Sequence, residues 1–165
     1  MKYMLCIDPE NEDTSFSAFN YCLDLLRKDE DELFILTVAT PVNVGILPFV
    51  DYTALNTANE DKRKQLKELL LKYGRYCREH NLNATMLLGH GTPKTVINNE
   101  VKEREIDVVV VGRRSMSGFK RLFLGSTSKS LVEDCPCTVL VAKEFPEPER
   151  IKETTLQNQK PVEAN

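Results

Sequence analysis

At 165 residues, 41% hydrophobic and 28% charged, the chain has the size and composition of one globular domain with a short extension. A net charge of −3 gives no bulk attraction for nucleic acid or an anionic membrane, and no apolar run approaches the ~20 residues of a spanning helix. The first ten residues, MKYMLCIDPE, include Asp8 and Glu10 and no small-residue cleavage site, so they do not read as a secretory signal, and a cytoplasmic location is expected.

"YMLCI" (3–7) is a short apolar run that stops at Asp8-Pro9, the pattern of a fully buried strand. After it, Phe16, Phe19, Cys22, Leu23 and Leu26 recur at helical spacing, with Asp13 or Thr14 placed to cap the helix. "ELFILTVA" (32–39) is the second strand. It runs into residues 40–56, a loop-like stretch with two prolines, one glycine and no periodicity. From about 57 to 80 a long helix follows, with Leu66, Leu69, Leu70, Tyr73 and Cys77 on one face and charged residues on the other.

The third strand is "NATMLLG" (83–89), and His90 after it reads as a loop residue. Thr92 and Pro93 then occupy the N-cap and first helical positions of the next helix. "IDVVVVG" (106–112) suits burial on both faces, "STSKSLVEDC" is helical, and "CTVLVA" (137–142) is a fifth strand. From Glu144 the composition turns to prolines and polar residues, so 144–165 is expected to be a disordered tail beyond a domain at 1–143.

Five strands alternating with four helices predict a five-stranded parallel α/β sheet with helices on both faces. Ligands bind such sheets beyond the carboxyl ends of the strands, where the strand order reverses. Asp8 after strand one and Gly112 after strand four mark that crevice if the two strands are neighbours. The five cysteines, Cys6, Cys22, Cys77, Cys135 and Cys137, are odd in number and sit mostly in apolar segments, so they read as reduced thiols used as small hydrophobes. No metal-ligand spacing accompanies them.

The chemistry concentrates in residues 108–132, where an acidic chain carries no Asp or Glu but has Arg113, Arg114, Lys120, Arg121 and Lys129. Gly112 and Gly118 allow close backbone approach, and Gly125-Ser126-Thr127-Ser128 opens a helix whose free N–H groups favour an anion. There is no Walker-type Gly-Lys-Ser/Thr and no three-glycine dinucleotide fingerprint. Two readings stay open on the residues alone: a phosphate cradle of another design, or a basic surface loop ending in ordinary serines.

"VVVVGRRSMSGFKRLFLGSTSKSLVEDCPCTVLVAK" resembles the C-terminal signature of the universal stress protein family. "YMLCID", "FILTVA" and "GTPKTVI" resemble that family's first strand, second strand and entry to the third helix, and "CPCTVLV" its small-Pro-Cys-x-Val-Leu-Val ending. The resemblance implies a Rossmann-like fold of the adenine nucleotide alpha hydrolase-like kind. It also implies a Gly-x₂-Gly-x₉-Gly-Ser/Thr motif around the phosphates of ATP, alone or with Mg²⁺. On this chain Gly112 is the first glycine and Gly125-Ser126 closes the motif, while Ser115 stands where the second glycine is expected.

By the same resemblance Asp8 contacts the ribose with Ile7 along its edge, and the backbone at Val38 meets the adenine. Gly112, Arg113, Ser115, Gly118, Gly125, Ser126 and Thr127 surround the phosphates. A base and a metal-holding carboxylate beside the γ-phosphate, which a hydrolase needs, have no candidate in 108–132. The expected function is therefore a non-enzymatic nucleotide-binding switch in stress response or signalling. The alternative is a nucleotide-free dimeric scaffold of the same fold, since the family's homodimers pair through the last strand, here 138–142. An adenylyl-transferring enzyme would need a His- or Lys-bearing phosphate motif that the sequence does not offer.

Overall fold

The computed structural model describes residues 1–27, 29–41, 52–113 and 125–143, with backbone alone at 52–55. Nine elements alternate along it: β1 (Lys2–Ile7), α1 (Glu12–Leu25), β2 (Glu32–Ala39), α2 (Tyr52–Glu79), β3 (Ala84–His90), α3 (Pro93–Arg104), β4 (Val108–Gly112), α4 (Ser126–Asp134) and β5 (Thr138–Ala142). The sheet order is β3-β2-β1-β4-β5 and every neighbouring pair is parallel. The chain builds outward from β1 to β3, crosses back, and continues with β4 on the other side of β1. The order therefore reverses between β1 and β4, as the sequence reading required.

Period-two alternation explains why central strands are apolar without a break. Tyr3, Leu5 and Ile7 of β1, Leu33 and Ile35 of β2, and Val108 and Val110 of β4 face one core. Met4, Phe34, Leu36, Val109 and Val111 face the other. The first core is closed by Ala18, Phe19 and Cys22 of α1 with Leu69, Leu70, Tyr73, Tyr76 and Cys77 of α2. Phe19 meets Tyr73 and Tyr76 edge-on, with ring centroids 5.0 and 5.4 Å away. Ile97 and Val101 of α3 and Leu131 of α4 close the second core. A 2.6 Å bond from Lys94 Nζ to Asp134 Oδ2 joins α3 to α4 and holds the Asp134 carboxyl below its usual range.

Several boundaries differ from the sequence reading, each for a local reason. The cap of α1 is Asn11 rather than Asp13 or Thr14. The chain turns at once after β1, with Asn11 N–H donating to the Asp8 carbonyl at 3.1 Å, so the helix starts early and Asp13 falls in its first turn. Helix α2 starts at Tyr52, because the breakers of the preceding stretch end at Pro48 and Tyr-Thr-Ala-Leu-Asn contains none. His90 is the last residue of β3, paired with Ala39, and not a loop residue. Strand β4 begins at Val108, after Glu105 ends α3 in a left-handed conformation at φ 55°. Thr92 and Pro93 take the N-cap and first-turn positions expected of them. The expected tail, 144–165, lies outside the described residues.

No helix among the described residues is long and apolar enough to cross a membrane. Asp31, buried beside the start of β2, accepts hydrogen bonds from the Met1 amino group, from Arg27 N–H at 2.9 Å and from the Arg27 guanidinium at 3.2 Å. These donors, the amino group foremost, hold its pKa to about 2. A carboxylate depressed in the folded state stabilises the fold above its unfolded value, near 3.9, and loses that contribution as pH falls towards 2. Acid unfolding of Asp31→Asn is accordingly expected to be shallower across that window, as followed by circular dichroism at fixed denaturant.

Candidate nucleotide site

The cavity at the β1–β4 reversal follows from where the strands end. It has a volume of about 380 Å³, within the range of small-molecule sites. Ile7, Asp8, Pro9 and Glu10 enter its wall from the end of β1, and Val38, Thr40 and Pro41 from the end of β2. Gly112 closes β4 against it, and Gly125, Ser126, Thr127 and Ser128 bring the start of α4. Lys62 of α2 and Pro93 and Ile97 of α3 complete two sides.

Thr37 Oγ1 donates to the Ile7 carbonyl at 3.2 Å and ties the end of β1 to β2. The Ser15 hydroxyl then fastens the turn beyond it, accepting from Asp8 N–H at 2.8 Å and donating to the Asp8 carbonyl at 3.1 Å. Asp8 itself accepts from Glu10 N–H at 3.0 Å through Oδ1 and from Asn11 Nδ2 at 2.8 Å through Oδ2. The carboxylate is thus both a turn cap and part of the cavity wall. Its orientation is set before any ligand arrives.

Two glycines of the cavity have different reasons to be glycine. A Cβ on Gly112 would lie 2.5 Å from the Thr14 carbonyl oxygen and 2.8 Å from its carbon, so β4 can end against the first turn of α1 only without a side chain. Gly125 has φ −58° and ψ 157°, open to any residue, and a Cβ there meets no described atom within 4 Å. Its missing side chain leaves cavity space rather than relieving strain.

At the start of α4 the first intrahelical bond runs from Lys129 N–H to the Gly125 carbonyl, at 2.9 Å. The N–H groups of Ser126, Thr127 and Ser128 have no acceptor within the helix, as in any first turn, and the helix dipole adds positive potential there. Backbone donors and the hydroxyl residues Ser126, Thr127 and Ser128 on the wall are the chemistry of an anion-binding end, and the Lys62 side chain adds a positive charge to the same cavity. The wall also includes the apolar side chains of Ile7, Leu36, Val38 and Ile97.

Of the residues singled out in the sequence, Ile7, Asp8, Val38, Gly112, Gly125, Ser126 and Thr127 come together on this wall. Arg113 does not line it: its N–H donates to the Ala142 carbonyl at 2.8 Å and extends the β4–β5 ladder. Ser115 and Gly118 lie outside the described residues, as do Arg114, Lys120, Arg121 and most of the 40–56 stretch. Lys62 was missed, although it lies four residues before the buried Leu66, on the same face of α2 as Leu69 and Tyr73, and a charge on that face is a usable signal. Thr40 and Pro41 carried a usable signal, since they directly follow the end of β2.

The model of the universal stress protein family matches residues 1–143 of the chain. The chain belongs to the universal stress protein family. Universal stress protein YxiE of Bacillus subtilis is 29% identical over 148 residues, covering 86% of this chain and 98% of that protein. Among solved structures, universal stress protein UspA from Lactobacillus plantarum superposes with a TM-score of 0.73 at 20% identity, covering 86% of this chain and 97% of that one. A universal stress protein family protein from Arabidopsis thaliana with AMP bound gives 0.62 at 22% identity, over 88% and 92%. One in complex with cAMP gives 0.52 at 14%, over 86% and 95%. These likenesses establish the universal stress protein fold, Rossmann-like and parallel, for this family member.

Proposed function

We propose that this universal stress protein family member binds ATP, alone or with Mg²⁺, in the β1–β4 cavity and acts as a cytoplasmic, non-enzymatic switch in stress response or signalling. The observation that carries the reading is the juxtaposition, across one cavity, of a pre-oriented Asp8 and an unencumbered Gly125-Ser126-Thr127 helix start. The AMP and cAMP held by two solved structures of the same fold support an adenine nucleotide as the class of ligand.

In this reading the adenine lies against apolar wall residues beside the Val38 backbone, and the ribose is bonded by Asp8 with Ile7 at its edge. The phosphates take the N–H groups of α4, the hydroxyls of Ser126 and Thr127, and the close backbone at Gly112. Arg113, Ser115 and Gly118 belong to the same motif, with Arg113 contributing charge rather than its committed N–H. A serine at 115 costs roughly 1–2 kcal/mol if its backbone takes a positive φ, which several bonds to a triphosphate offset. Such a ligand acts as a switch by the difference in its affinity for two conformations.

The test is a thermal-shift series with ATP·Mg²⁺, ADP, AMP and cAMP. At a hundred times Kd a ligand adds about 2.7 kcal/mol to stability, so a rise of several degrees is expected with ATP. No rise with any of the four at millimolar concentration overturns the reading. Rapid multiple turnover of ATP would contradict the non-enzymatic part of it.

Lys62→Ala should weaken ATP more than AMP, by roughly tenfold against a smaller loss, because its charge then acts on the outer phosphates. Equal losses for the two nucleotides, read by the same titration, would place Lys62 at the base instead. A homodimer through 138–142 is part of the proposal: β5 is an edge strand whose Val139, Leu140 and Val141 are only half-buried. If no nucleotide binds, that edge favours the dimeric scaffold.

A further inference from the structure

Helix α2 is 28 residues long, yet from residue 56 onward its buried residues run only from Leu66 to Cys77. That buried stretch is about 18 Å long, comparable with the strands it covers, and the earlier part of the helix projects beyond it. A helix that connects two parallel strands by a crossover runs antiparallel to them. The start of α2 therefore lies at the carboxyl ends of β2 and β3, the end of the sheet that holds the cavity.

Residues 56–65 differ from the rest of the helix. Their sequence, NTANEDKRKQ, has one apolar residue, Ala58, and all but Asn59 and Lys62 are exposed. Asn56, Thr57, Asn59 and Asp61 are poor helix formers. A helix polar on every side needs many side-chain pairs or a bound partner to stay formed. The exposed pair from Arg63 Nη1 to Glu60 Oε1, at 3.4 Å, adds little. Among the described residues of this section, Lys62 alone lines the cavity.

We propose that residues 56–65 are the moving element of the switch: they fray in the nucleotide-free protein and are held as helix when an outer phosphate pairs with Lys62. The inference rests on the nucleotide reading and deepens it by assigning what the site regulates. A section that is helical only part of the time lowers the apparent affinity of a ligand that needs it helical. Reciprocally, a ligand that engages Lys62 raises the helical fraction. The length of the phosphate chain decides the response. A monophosphate that ends at the start of α4 engages Lys62 weakly and leaves the section frayed, whereas a triphosphate reaches Lys62 and fixes it. The exposed side chains of 56–65 then present one surface with ATP and another with AMP.

Hydrogen exchange read by mass spectrometry tests this on the full chain, nucleotide-free and saturated with ATP·Mg²⁺ or AMP, with occupancy set by calorimetric titration. Exchange at 56–65 is expected to slow at least about tenfold with ATP, within the usual range of coupling between sites, and to change little with AMP. Lys62→Ala saturated with ATP should show no slowing there. Ala58→Gly, exposed and outside the cavity wall, should weaken ATP several-fold by disfavouring the helix and leave AMP affinity unchanged. ATP that binds without slowing 56–65, equal slowing by AMP, or unaltered ATP affinity in Ala58→Gly overturns the switch element and leaves the nucleotide reading standing. Failure of both nucleotides to bind overturns both.

Discussion

Gly125→Val is expected to remove the proposed ATP binding and to leave the domain folded. The backbone at 125 sits at φ −58° and ψ 157°, which a β-branched residue adopts, and no described atom lies within 4 Å of the added Cβ. Valine is a poorer N-cap than glycine, so the expected cost to the unliganded protein is no more than about 1 kcal/mol. The two extra methyl groups project where the phosphates lie in the proposed complex. Affinity should fall at least about a hundredfold, which removes most of a stabilisation of about 2.7 kcal/mol at the same ligand concentration. Retained wild-type affinity in Gly125→Val would place the nucleotide elsewhere.

Gly112→Ala has the opposite profile. Its Cβ would lie 2.5 Å from a backbone oxygen of Thr14, in the first turn of α1, and neither partner is a flexible side chain. Either β4 or the start of α1 must shift, and overpacking of this kind costs about 1–3 kcal/mol. The unliganded protein should melt several degrees lower, before any nucleotide is added. Because the same turn is fastened to Asp8 through Ser15, binding should weaken as well. An unchanged melting temperature would mean that α1 and β4 do not meet as closely as described. The pair is expected to separate two roles that one motif merges, with Gly112 serving the fold and Gly125 the proposed ligand.

The fold was legible because its signals are local and repeated. Runs such as Val108–Val111, bounded by polar residues, announce strands buried on both faces, and Phe19, Leu69 and Tyr73 fall at helical spacing. Helix starts were less legible where a turn decides them. Asn11 caps α1 because Asp8 and Ser15 tighten the preceding turn, a relation between residues seven apart that spacing alone does not reveal.

The candidate site was legible at strand ends and opaque elsewhere. Asp8, Gly112 and Gly125 sit where chain order forces a crevice, so topology and sequence point to them together. Lys62 reaches the cavity from α2 because it shares the buried face of that helix with Leu66, Leu69 and Tyr73, a position that spacing indicates but that a charged residue hides. Arg113 shows the converse: its neighbourhood suggested a phosphate contact, but pairing with β5 takes its N–H.

The central claim is that the β1–β4 cavity holds an adenine nucleotide, and calorimetric titration of the nucleotide-free chain with ATP·Mg²⁺ tests it most directly. One site per chain, with a Kd in the micromolar range (about −8 kcal/mol), is the predicted result. Absence of any binding heat up to millimolar ATP at two temperatures, with the protein folded throughout, would contradict it.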